Sequence, residues 1–223
     1  YAQLLEADHG ADAQLSSQGL RQILQESTRM HQMVLQLLDM SDKAIYMEMR
    51  PVNLSAIAKS VAEALEIKAR RYEMRIDTDL PDPLWTSGVE ERLRQVLVNL
   101  VDNAIKYGDS HSSILLSGSR RKGYVWLFVR NRGRGLAPEE QERIFEPFYR
   151  VDKTYSREQG SSGLGLSICR KIMDEHEGLI GVKSRQNSQT IFYIRLREEK
   201  EAAHDIPQEA RSNKIPVEHT TAA

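Results

Sequence analysis

Asn99, Asn103 and Lys106 stand at steps of four and three within Arg92–Asp109, RLRQVLVNLVDNAIKYGD. On a helix that spacing stacks two amides and an ammonium along one side. Amide oxygens suit a hard divalent cation, and a lysine ammonium suits a phosphate as a point charge. Taken alone, the pattern describes an amphipathic helix with a solvated polar face as well as it describes a ligand site, and the first is the commoner case. Two glycine-bearing stretches add to it: Asn131-Arg132-Gly133-Arg134-Gly135-Leu136, and Gly160-Ser161-Ser162-Gly163-Leu164-Gly165-Leu166. Glycines at alternate positions let a backbone approach a ligand closely, and the second pair opens a helix whose unpaired N–H groups favour an anion. Neither stretch is a P-loop, because no Gly-Lys-Ser/Thr follows, and Gly163-x-Gly165 is not reached directly from a strand as a dinucleotide fingerprint requires. Between them lies an aromatic hinge, Ile144-Phe145-Glu146-Pro147-Phe148-Tyr149-Arg150, then a polar segment with Lys153 and Arg157. Such a loop either closes over a polyphosphate or is simply solvated surface.

The elements that must hold these residues can be read from periodicity. Leu93, Val96, Leu97, Leu100, Val101, Ala104 and Ile105 step by three and four, so the central helix buries one face, and Ser87 is placed to cap it. Asn53 or Ser55 can cap a helix running to about Arg71. Met74–Thr78 and Leu84–Thr86 alternate as strands, and Ser113–Gly118 and Tyr124–Arg130 form a hairpin across residues 119–123. A helix from Gly165 to Glu177 and strands Leu179–Ser184 and Thr190–Leu196 complete the order. Helices on one face of a mostly antiparallel sheet follow from it, an α+β fold. Before Pro51, Leu20, Ile23, Ser27, Met30, Val34, Leu37, Ser41 and Ala44 step alternately by three and four, a coiled-coil-like seam on a long helix that needs a partner. Pro51 disfavours helix at Arg50 and marks a domain boundary.

Composition limits the function classes. Among 223 residues, 31 Lys and Arg face 32 Asp and Glu, so no global basic field argues for nucleic acid. One cysteine, Cys169, excludes an internal disulfide framework and a cysteine-based zinc cluster, and it reads as a small buried hydrophobe. No apolar run is long enough to cross a bilayer. The chain opens at Tyr1 without a Met and reads as a portion of a longer protein. Residues 198–223 are charged and Ala-rich, and the composition predicts a disordered tail.

The order NLVDNAIKYG, NRGRGL, RIFEPFYRVD, GSSGLGLSI resembles the ATP-binding domain of two-component sensor histidine kinases, in the superfamily that also holds gyrase, MutL and the heat-shock ATPases. The resemblance runs from about Pro51 to Leu196. It implies a two-layer α/β sandwich holding ATP between the central helix and a flexible lid, preceded by one long helix of a dimerisation and phosphotransfer hairpin. The implied division is 1–50 partial hairpin, 51–197 ATP-binding domain and 198–223 tail. Residue by residue, it implies that Asn103 ligates Mg²⁺, with Asn99 near the phosphates, Lys106 on phosphate and Tyr107 beside adenine. Asn131 stands where the family has an aspartate that accepts the adenine amino group; Gly133 and Gly135 shape that pocket. Gly163, Leu164 and Gly165 fall at the phosphate end of the lid, and Arg150 and Lys153 in the lid are weaker candidates for the γ-phosphate. The implied partners are ATP, a response-regulator receiver domain and a second copy of the chain through the hairpin. The implied setting is the cytoplasm, with a membrane reached only through upstream segments.

Two departures qualify the resemblance. No histidine here has the phosphoacceptor's setting of a following acidic residue and a proline, and His204-Asp205-Ile206-Pro207 echoes it only in the tail. If Tyr1–Leu5 ends the first hairpin helix, the acceptor lies upstream. The other departure is Asn131, a neutral amide in place of a carboxylate. Rival readings are an ATP hydrolase of the superfamily, which needs a glutamate where Asn99 stands, and a module that dimerises but has lost useful nucleotide binding. An amide cannot act as a general base, so water attack goes unassisted and a protein nucleophile is the better acceptor.

Overall fold

A computed structural model of the chain describes residues 48–151 and 162–199, together with helical residues 19–21, 23, 24, 27, 30 and 34. Lys153, seam positions Leu37, Ser41 and Ala44, and the tail from residue 200 lie outside the described residues. Seam positions Leu20, Ile23, Met30 and Val34 are helical and exposed.

The described residues from Arg50 onward form β1 (Arg50–Asn53), α1 (Leu54–Arg71), β2 (Arg75–Asp79), β3 (Trp85–Gly88), α2 (Glu90–Tyr107), β4 (Ser113–Arg121), β5 (Tyr124–Gly133), α3 (Pro138–Arg143), α4 (Gly165–Glu175), β6 (Leu179–Arg185) and β7 (Ser188–Arg197). Five strands form one sheet in the order β2-β4-β5-β7-β6, parallel between β2 and β4 and antiparallel elsewhere. β1 and β3 make a separate antiparallel pair. Alternation buries Val125, Leu127 and Val129 of β5 beside Phe192, Ile194 and Leu196 of β7. The expected apolar stripe of α2 is buried in full, in one core cluster with those strands, α1 and α4. Burying a single leucine such as Leu93, Leu97 or Leu100 contributes about 1.5–3 kcal/mol. Stacked on one face of the sheet, the helices give the two-layer α+β architecture expected.

Local chemistry moves several boundaries. Asn53 caps α1 as expected, its side-chain oxygen accepting from Ser55 N at 3.1 Å. Ser87 does not cap α2: it lies in β3 opposite Pro51, and the residue before the helix is Val89, with no side-chain cap of its own. The β4–β5 turn needs only Lys122 and Gly123, both at positive φ (53° and 76°), so both strands run further than hydrophobicity alone suggested. α4 stops at Glu175 rather than Glu177, because Glu177 turns left-handed (φ 50°) and Gly178 N closes onto Met173 O at 2.8 Å. β1 and α3 were not anticipated. β1 carries a proline, which a two-stranded edge tolerates.

Candidate active site

The polar side of α2 is bracketed at both ends by the two glycine-bearing stretches. At its C-terminal end, Gly108 bridges Gly133 of β5, and Asp109 N donates to Arg132 O at 3.0 Å. A Cβ on Gly133 would lie 2.3 Å from Tyr107 O, so only glycine lets the strand pass the end of the helix this closely. About two turns earlier, Asn99 Nδ2 donates to Gly165 O at 3.4 Å, and a Cβ on Gly165 would meet Asn99 Oδ1 at 3.6 Å. Asn103 lies half-buried between, one turn from Asn99 and from Lys106. From Asn99 to Tyr107 the face is about 12 Å long.

Lys106 is held by its own helix, its Nζ 2.9 Å from Asp102 Oδ2. The other oxygen of Asp102 binds Lys68 of α1. Burial pushes the Asp102 carboxyl up, but the two ammonium groups more than offset it and hold the carboxyl below its usual range. Asn99 also reaches the thiol of Cys169, which burial pushes up to about 12. Cys169 is therefore an inert core residue, as its sequence context suggested.

Asn131 ends the buried face of β5 with only 3% of its surface exposed. Its Nδ2 donates to Arg132 O at 3.0 Å, the carbonyl that also accepts from Asp109, which leaves Oδ1 as the acceptor. Its partner across the ladder is Thr190, and the partner of Thr190 is Ser184, with their hydroxyls 2.8 Å apart. Gln141 clasps Ser184 through both its N–H and its C=O at 3.1 Å, and Leu136 N donates to Ser184 Oγ at 2.9 Å. This polar row closes one end of an otherwise apolar sheet face. The alternation Thr190, Phe192, Ile194, Leu196 places Thr190 on the buried side of β7. Gly135 sits at φ 71° against Arg185 O and joins the row to the loop before α3.

The ends of the loop between the hinge and α4 are tied together: Phe148 N donates to Gly163 O at 3.0 Å. Phe148 is exposed and left-handed (φ 63°), whereas Ile144 and Phe145 are buried. Arg170 of α4 stacks its guanidinium 4.7 Å from the Phe145 ring centre, and Arg143 lies 4.4 Å over Tyr149. Arg150 is half-buried. Leu164, expected at the phosphate end of the lid, lies between Gly163 and Gly165. Its side chain is fully buried, Ser162 Oγ takes its N–H, and its carbonyl accepts from Ile168 N and Ser167 Oγ, so it anchors the loop to the core.

Residues 88–200 match the family described as "Histidine kinase-, DNA gyrase B-, and HSP90-like ATPase". The chain belongs to this family. Its ATPase domain is of the sensor histidine kinase kind, as its relatives show. The sensor-like histidine kinase SenX3 of Mycobacterium tuberculosis is 34% identical over 198 residues, covering 86% of this chain and 48% of that protein. The catalytic domain of the histidine kinase ThkA is 32% identical with a TM-score of 0.61, over 68% of this chain and 97% of that one. Full-length ShkA in complex with AMPPNP is 26% identical with a TM-score of 0.73, over 86% of this chain and 40% of that one. A structure of ThkA with its response regulator TrrA is 28% identical with a TM-score of 0.72, over 86% and 54%. The chain spans about half the length of the curated relatives it matches. In this ATPase domain no described group of three or more His, Cys, Asp or Glu could hold a metal. The Asn103 amide oxygen on α2 is of the donor type that a hard divalent cation accepts. No helix among the described residues is long and apolar enough to cross a membrane.

Proposed function

We infer that the chain is the ATP-binding catalytic portion of a sensor histidine kinase, which passes the γ-phosphoryl of ATP to a histidine for relay to a response-regulator aspartate. One observation carries this reading: both glycine-bearing stretches close on α2, Gly133 against Tyr107 and Gly165 against Asn99. In it, Asn131 Oδ1 accepts the adenine amino group, Gly133 and Gly135 shape the base pocket and Tyr107 packs beside it. Asn103 ligates Mg²⁺, Asn99 and Lys106 serve the phosphates, Gly163 and Gly165 shape the phosphate end, and Arg150 and Lys153 reach the γ-phosphate from the lid. Bound Mg²⁺ supplies neutralisation of the charge shared by the β- and γ-phosphates. The chain's own residues orient the triphosphate and exclude water; none placed here serves as a base for water, since Asn99 is an amide. Transfer to a protein nucleophile is favoured over hydrolysis for that reason.

Residues 1–50 are read as part of a dimerising hairpin, 51–197 as the ATP-binding domain and 198–223 as a tail. The relay partner is a receiver domain, by analogy with ThkA and TrrA. The cytoplasm is the proposed setting, with any membrane anchor upstream. The test is incubation with γ-labelled Mg-ATP, alone and with a longer homologous chain that carries the acceptor helix. Acid-labile label is expected only on the added chain. Label on His9, His31, His111, His176, His204 or His219 of this chain would overturn that assignment of the acceptor.

A further inference from the structure

Asp102 divides its carboxylate between two helices: Oδ2 holds Lys106 at 2.9 Å and Oδ1 holds Lys68 of α1. The carboxylate and Lys106 are both mostly buried, with 22% and 18% of their side chains exposed. Two ammoniums on one carboxylate leave a net positive charge beside Asn103. A buried carboxylate that loses its sole cation is strongly disfavoured, so a lysine paired alone with Asp102 would be hard to transfer to another anion. Here a second lysine stays behind.

We propose that Asp102 is a positioning residue for the phosphate-binding lysine: it holds Lys106 in place until a nucleotide phosphate takes the ammonium over, and Lys68 compensates Asp102 after the exchange. The proposal rests on the assignment of Lys106 to phosphate made above. It predicts that nucleotide binding works against the Lys106–Asp102 pair, and that the strength of this opposition is set from α1, outside the nucleotide motifs. A carboxylate that merely ties α1 to α2 would affect stability and leave affinity alone.

The experiment is calorimetric titration of the full chain with Mg-ATP for the wild type, D102N, K106M and D102N/K106M. Removing the competing carboxylate is expected to tighten binding by about three- to tenfold, and the effect is expected to vanish when Lys106 is absent. Tightening of equal size in both backgrounds would show a general field effect and overturn the proposal. So would unchanged affinity in D102N with a lowered melting temperature. K68M gives the same test by an independent route: Asp102 then has Lys106 alone, so ATP should bind about three- to tenfold more weakly, and only while Lys106 is present. If K106M binds Mg-ATP as well as the wild type does, the assignment of Lys106 to phosphate falls, and the proposal with it. If the Lys106 effect stands while D102N and K68M change nothing, the proposal alone falls.

Discussion

Val89 donates its backbone N–H to Nε2 of His176 at 3.0 Å, so the start of the central helix is capped from the end of α4, 87 residues later. Nδ1 of the same ring lies 2.7 Å from Ile172 O. One nitrogen must accept and the other donate, which fixes the neutral ring with its proton on Nδ1. The helix that carries Asn99, Asn103 and Lys106 is thereby positioned by the helix that carries Gly165.

This cap should make the fold acid-sensitive. Burial lowers the His176 pKa from its ordinary 6.5. With the folded value depressed, the unfolded chain takes up the proton first, so stability is complete above pH 6.5 and is lost as the pH falls through the lower folded value. Denaturant unfolding between pH 8 and pH 5 should show this loss. H176Q should flatten the profile and lower stability at pH 8 by about 1 kcal/mol. An unchanged slope in H176Q would place the acid sensitivity elsewhere.

At Asn131 the two sides of a substitution separate. N131D removes the donor to Arg132 O and should lower the melting temperature of the free chain. It also supplies a charged acceptor for an adenine amino group, worth about 1–2 kcal/mol, or roughly tenfold in affinity. ATP should therefore bind more tightly and be preferred more sharply over GTP, because an amide can flip to meet guanine where a carboxylate repels it. Identical binding of both nucleotides by both forms would remove Asn131 from the base pocket.

Gly135 lies at φ 71°, and a Cβ there would sit 2.4 Å from Arg185 O. G135A should cost about 2 kcal/mol or more in chemical denaturation, through strain and collision together. A neutral result would mean that the loop can move off β6 without cost.

The seam predicts association. Leu20, Ile23, Met30 and Val34 are 56%, 39%, 65% and 54% exposed, all on helical residues. Apolar side chains repeating in that order seek a second helix. Sedimentation should show concentration-dependent dimers that V34E weakens. A strict monomer at high concentration, with the helix intact by circular dichroism, would contradict the seam.

The parts of the fold that rest on strict periodicity were legible in the sequence. The seven buried positions of α2 and the alternation of β5 and β7 follow from spacing alone. The four motifs, read in order, pointed to the ATPase family. The rest depends on distant contacts. His176 lies 87 residues from the N–H it caps, so local spacing points to Ser87 instead. Thr190 joins Asn131 only through strand register, and Lys68 joins Lys106 only because α1 packs on α2.

The central claim is that a nucleotide lies along α2 between Gly165 and Gly133 with its metal at Asn103. Calorimetric titration with ATP, with and without Mg²⁺, tests it most directly when the wild type is compared with N103A. Removal of a single metal-binding amide is expected to cost about 2 kcal/mol or more, roughly thirtyfold in affinity, in the presence of Mg²⁺, and little in its absence. Equal Mg-ATP affinity for the two forms, or no binding by the wild type at millimolar ATP, would contradict the account.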